Sequence, residues 1–155
     1  MATISNVTLS ITNYNSVAQT VQLTFKYRLT PSAVEKMAGT VYTEQFGLLG
    51  RDYLIPLPTA EAERADISLP TRDTTIRTFG GRMFAASPSA PVIDRQLVVT
   101  VAKSILNEDP ERTASGSEVS DEVLARIAVN AVANLPVGAG PIPPGFSSLV
   151  TGTWT

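Results

Sequence analysis

Along residues 21–29, VQLTFKYRL, apolar and polar side chains alternate without a break. Val21, Leu23, Phe25, Tyr27 and Leu29 fall on one face, and Gln22, Thr24, Lys26 and Arg28 on the other. Successive side chains of an extended chain point to opposite sides, so this period of two predicts a strand with one buried face. Val7, Leu9 and Ile11 alternate with Thr8, Ser10 and Thr12 in the same way, and residues 13–16 (NYNS) supply turn chemistry between the two runs. The first 30 residues therefore predict an antiparallel hairpin, or two strands of facing sheets.

The pattern then breaks. In PSAVEKMAG (31–39), Pro31 opens and Gly39 closes a segment with room for about two helical turns. TVYTEQFGLLG (40–50) returns to β-rich composition, with Gly50 as its expected end. Pro56, Pro58 and Pro70 make residues 51–73 mostly loop, because proline cannot donate to a sheet ladder. TTIRTFGGRMF (74–84) places two short β-prone pieces around Gly80–Gly81, a hairpin signal. RQLVVTVAKSIL (95–106) puts Leu97, Val99 and Val101 on one face and predicts a strand.

DEVLARIAVNAVANL (121–135) fits two periods. As a strand it lines Val123, Ala125, Ile127, Val129 and Ala131 on one face, pairs with 95–106 and turns Arg126 to solvent opposite Ile127. As a helix it stacks Val123, Leu124, Ile127, Ala128, Ala131 and Val132, with Ser120, Asp121 and Glu122 suited to an N-terminus. PVGAGPIPPG (136–145) reads as a loop with no ladder capacity, FSSLVTGTWT (146–155) reads as a last strand, and Trp154 is expected at a sheet edge. Seven or eight short strands with frequent turn signals describe a mainly β protein: one antiparallel β-sandwich domain over 1–155 with one short helical turn.

Composition narrows the chemistry. The 155 residues include no cysteine and no histidine. That removes disulfides, thiolate and imidazole metal ligation, and any histidine general base. Twelve basic against 14 acidic residues give a net charge of −2, so no strong single-sign field is implied. The start, MATISNVTLSITN, lacks the basic-then-apolar pattern of a signal peptide, and no apolar run is long enough to span a bilayer. The expectation is a soluble protein, with membership of an extracellular or virion assembly open.

Charge concentrates in NEDPERTASGSEVSDE (107–122), where seven of 16 residues are ionisable. Calcium binds roughly six to eight oxygens, often carboxylates from loops at one end of a sandwich. Asp109, Glu118, Asp121 and Glu122 are the candidate metal ligands, with Glu108 and the amide oxygen of Asn107 nearby. The spacing is not that of an EF-hand. The competing reading is a solvated turn initiated at Asp109–Pro110. The same carboxylates form no recognisable glycosidase pair, and no catalytic or cofactor-binding residue is nominated. Lys26 and Arg28 share the polar face of one strand, a placement compatible with nucleic acid.

Three pieces in order, FKYRLTPSAVEKMAGTVYTEQFGLLGRD (25–52), LNEDP (106–110) with SDEVLARIAV (120–129), and VTGTW (150–154), resemble a set of small, uncharacterised bacterial β-sandwich proteins. That resemblance implies a fold and no activity. The succession RQLVVTVAKSIL, DEVLARIAVNAVANL and PIPP is similar to the strand, helix and proline-bearing tail of single-stranded RNA phage coat proteins, which implies a helix over 121–135 and an RNA partner. The functional expectation is a non-catalytic, self-assembling subunit of a filament, shell, capsid or tail structure, with itself as partner. The alternatives are a calcium-dependent binding module and an RNA phage coat protein. Proline-bearing segments 51–73 and 136–145 are the parts expected to reach over a neighbouring subunit.

Overall fold

The alternation at 21–29 becomes the central strand of one of two antiparallel sheets that pack face to face. The structure, a computed structural model, describes residues 1–53, 71–106 and 121–152; of residues 52, 53, 71–73 and 121 only the backbone is described. Three strands form the first sheet in the order β1 (Thr3–Asn15), β2 (Thr20–Thr30), β6 (Ile93–Ala102). The second runs β4 (Thr71–Gly80), β3 (Val41–Tyr53), β7 (Asp121–Ala133), β8 (Gly145–Phe146), with β5 (Phe84–Ala85) on β3 and β9 (Val150–Gly152) on β7. This is the mainly β sandwich that the periodicity predicts.

The core is what the alternation laid down. Leu23, Phe25 and Leu29 of β2 are fully buried, as are Phe46 and Leu48 of β3 and Val123, Ala125 and Ile127 of β7. Phe25 and Phe46 join the sheets with ring centroids 5.6 Å apart, and Phe79 of β4 closes on Phe25 at 5.8 Å, both tilted. Burying a phenylalanine contributes roughly 3 kcal/mol, so this trio is a large part of what holds the layers together.

The helical segment forms α1 (Ala33–Ala38). Ser32 caps it, accepting from the Glu35 backbone N–H, while the Glu35 carboxylate accepts from Ser32 N–H at 2.7 Å, a complete capping box. Gly39 ends it with φ 64°, a left-handed conformation that only glycine adopts without strain. Thr40, buried, then donates its hydroxyl to Asn134 O at 2.8 Å, and Asn134 Nδ2 returns a bond to Gly39 O at 3.2 Å. These two bonds fasten the α1 corner to the end of β7.

Four expectations change. β3 does not end at Gly50 but runs to Tyr53, paired with β4 throughout. Residues 74–84 form no hairpin: β4 and β5 each pair antiparallel with β3, so they run in one direction, separated by a step at residues 81–83. Residues 121–133 are a strand, as the sandwich reading requires, but β7 pairs with β3, β8 and β9 rather than with 95–106. The reason is visible in its burial. Val123, Leu124 and Ala125 are consecutively buried, which suits a strand flanked on both sides, whereas residues 93–102 alternate and lie beside β2. The last strand is broken into β8 and β9, and β8 begins at Gly145, which pairs with Ile127, so the expected loop 136–145 does enter the ladder at its last residue. Trp154 lies outside the described residues. Arg126 is exposed and Ile127 fully buried, as the strand reading places them. The helix implied over 121–135 by the coat-protein resemblance is therefore strand as far as Ala133.

Candidate functional site

The densest polar cluster sits inside the sandwich. Glu44 lies on the core-facing side of β3, between Tyr42 and Phe46, and its side chain is 2% exposed. Burying an ionised carboxylate is costly unless charge and hydrogen bonds compensate it. Here Arg95, on the inner face of β6, forks onto it: Nε donates to Oε2 at 3.0 Å and Nη2 to Oε1 at 2.6 Å. The Tyr27 hydroxyl of β2 donates to Oε2 by a very short bond, and Arg82 N–H reaches Oε1 at 3.3 Å. The Glu44 carbonyl accepts from Gly81 N–H at 3.0 Å. The carboxylate thus ties β2, β6, β3 and the step between β4 and β5 at one point.

The surroundings fit this clasp. Arg95 Cζ lies 4.3 Å from the centre of the Phe84 ring, a cation–π contact on its other face. Gly81 leaves the space that the carboxylate fills, since a Cβ there would fall 2.1 Å from Glu44 Cγ. Burial, then the hydrogen bond and charge of Glu44, push the Tyr27 phenol far above its ordinary range. The hydrogen bond to Glu44 holds the Arg95 guanidinium more firmly charged than usual. With four donors on its two oxygens, this carboxylate joins the two sheets.

A second buried carboxylate, Glu35, sits at the α1 corner, 3% exposed. It accepts from Ser32 N–H and from Ala2 N–H at 3.1 Å. Burial pulls its pKa up, but the Ser32 and Ala2 hydrogen bonds and the nearby N-terminal charge outweigh that and hold it below the usual carboxylate range. Beside it the Tyr42 hydroxyl is buried without a hydrogen-bond partner among the described residues, and burial followed by the charge of Glu35 pushes this phenol up to about 12.

The outer face of the β1–β2–β6 sheet carries an open polar depression of about 420 Å³, lined among others by Asn6, Thr8, Lys26, Arg28, Asp94 and Gln96. Lys26 and Arg28 do share this face. Arg28 is neutralised by Asp94, which accepts from Nε at 2.8 Å and Nη2 at 3.3 Å, leaving Lys26 as the uncompensated charge among these six.

Of the four acidic candidates, Asp109 and Glu118 lie outside the described residues. Asp121 begins β7 and pairs with Gly152, its side chain outside the description; Glu122 is 7% exposed and opposite Thr151. Among the described residues no group of three or more acidic side chains is close enough to hold a metal ion.

Sequence reasoning singled out neither Glu44 nor Arg95, yet both leave a signal. Glu44 shares its parity with Tyr42, Phe46 and Leu48, and Arg95 with Ile93, Leu97 and Val99. Each is one charge set in the apolar phase of a strand, and two such misfits of opposite sign can satisfy each other across a core. Comparison of the chain with family models, with curated proteins and with solved structures finds no match.

Proposed function

We propose that this protein is a non-catalytic subunit that works through its surfaces by assembling with copies of itself, as in a filament or shell. The observation that carries this reading is the apolar corner formed by α1, the end of β7 and the residues that follow it. Val34 is 58% exposed, Met37 83%, Val132 46% and Leu135 56%, on segments that the Thr40, Gly39 and Asn134 bonds hold together. Single exposed apolar residues are ordinary, but a group at one corner of a small sandwich favours contact with another protein surface. The buried polar groups described above, Glu44, Arg95, Tyr27 and Glu35, are spent on holding the fold, which agrees with a surface-acting role.

Size-exclusion chromatography with light scattering tests this. Oligomers are expected to grow with protein concentration, and Met37→Lys with Leu135→Lys is expected to shift the distribution towards the monomer. A strictly monomeric particle at high concentration overturns the reading.

A further inference from the structure

Three long strands lie at sheet borders among the described residues, and they differ in how they are guarded. β1 pairs with β2 through two register breaks, with Asn6 at φ 52° and Asn13 at φ 53°. β4 pairs with β3 through one break and carries Arg72, Asp73 and Arg77. Bulges and charges are the usual devices that stop a sheet border from accepting a foreign strand. β6 has neither along most of its length. It pairs with β2 without interruption from Ile93 to Ala102, and residues 96–102, QLVVTVA, hold no charge, proline or glycine. Uncharged, β-branched runs of this length are the ones that add to other strands.

The faces of β6 are also unfinished. Its core-facing Ile93, Leu97 and Val99 are only partly buried, whereas Leu23, Phe25 and Leu29 of the neighbouring β2 are fully buried. On the outer face Val98 is 43% exposed. A further strand beside β6 would cover both.

We infer that β6 pairs antiparallel with β6 of a second copy across a two-fold axis, joining two three-stranded sheets into one. This rests on the self-assembly reading above and adds a second contact to it, apart from the α1 corner. Face sets the parity of the register, and Val98, exposed on the outer face within the uncharged run, sets its centre. Opposed residues of an antiparallel pair point to the same side, so odd residues must oppose odd and even oppose even. Centring on Val98 sets Val98 against Val98, Gln96 against Thr100 and Asp94 against Ala102 on the outer face. On the inner face it sets Leu97 against Val99 and Arg95 against Val101. No charge meets its like, because Asp94 and Arg95 land opposite apolar residues. Centring on Arg95 would oppose two guanidiniums. The two-fold arrangement makes the surface its own complement, the commonest form of oligomer. The ladder supplies about eight backbone hydrogen bonds, near the roughly ten of a typical interface.

The chain has no cysteine, so single thiols report the register cleanly. Val98→Cys is expected to form a disulfide-linked dimer under mild oxidation, because the two Cβ atoms face each other directly. Gln96→Cys alone is expected to stay uncrosslinked, and Gln96→Cys with Thr100→Cys to crosslink. Val98→Lys, exposed and on the outer face, is expected to keep the fold by circular dichroism and to weaken the dimer at least tenfold by sedimentation. Oligomers of unchanged strength in Val98→Lys, or oligomers that form without a Val98→Cys crosslink, overturn the β6 pairing and leave assembly through the α1 corner standing. A monomer in every variant, wild type included, overturns both.

Discussion

Two of the buried carboxylates of this sandwich, Glu44 and Glu35, are compensated in opposite ways. Glu44 is satisfied mainly by side chains from distant strands: Arg95 lies 51 residues away and Tyr27 lies 17. Glu35 is satisfied by backbone N–H groups, one from its own capping box and one from Ala2. The first is a clasp between sheets. The second fixes the end of a short helix and the first residues of the chain. A carboxylate whose partner is a mobile, charged side chain leaves an uncompensated cation when it is removed. One whose partners are amides and a half-exposed N-terminal ammonium 4.0 Å away leaves groups that water can reach more easily.

That difference orders the consequences of breaking each. Glu44→Leu strands Arg95, 23% exposed, against an apolar core, and is expected to cost about 3–4 kcal/mol in urea unfolding at neutral pH. Adding Arg95→Met should recover most of the loss, since replacing both members of a buried pair by apolar groups is often near neutral. A double variant no more stable than Glu44→Leu alone would show that the pair's worth does not lie in mutual compensation.

Gly81→Ala probes the same clasp without touching its charges. The added methyl falls 2.1 Å from Glu44 Cγ, and the carboxylate is pinned from three strands, so it cannot simply swing away. A loss of about 2 kcal/mol is expected by chemical denaturation, and Gly80→Ala, with nothing within 4 Å of its Cβ, is expected to lose less.

At the other carboxylate the effects are smaller. Ser32→Ala removes half of the capping box and is expected to cost about 1 kcal/mol. Tyr42→Phe, next to Glu35, is expected to stabilise by about 1 kcal/mol, because it deletes a buried hydroxyl that has no partner among the described residues. Thermal unfolding of both variants measures the signs, and a destabilised Tyr42→Phe would contradict the unpaired hydroxyl.

The pH axis brings in Glu35 on the acid side and one tyrosine from each region on the alkaline side. Glu35 has a folded pKa below its ordinary 4.5, so its stabilisation is present above that value and is lost as pH falls through the folded pKa. Tyr27 and Tyr42 have folded pKa values above their ordinary 10.0, so their contribution is intact below pH 10 and declines as pH rises beyond it. Urea midpoints are expected to fall on both sides, and Tyr42→Phe is expected to flatten the alkaline limb between pH 10 and about 12 without changing the acid limb.

The sequence alone determined which face of β2 and of β6 turns to the core. Period two is a local property of extended backbone, and VQLTFKYRL had to hide the side carrying Leu23 and Phe25 whatever lay opposite. It also determined the ends of α1, since Ser32, Glu35 and Gly39 act within one turn. Tertiary structure decided the neighbours. Residues 121–133 are apolar enough for helix or strand, and it is the paired strands β3, β8 and β9 on their two borders that make them β7. The Gly80–Gly81 step reads locally as a hairpin, but Glu44 fills the space beside Gly81 and both flanking pieces are drawn onto β3. A charge in the apolar phase of a strand shows that a partner is needed. Which partner answers depends on the strands that loop closure brings face to face, and no local pattern in the chain encodes that.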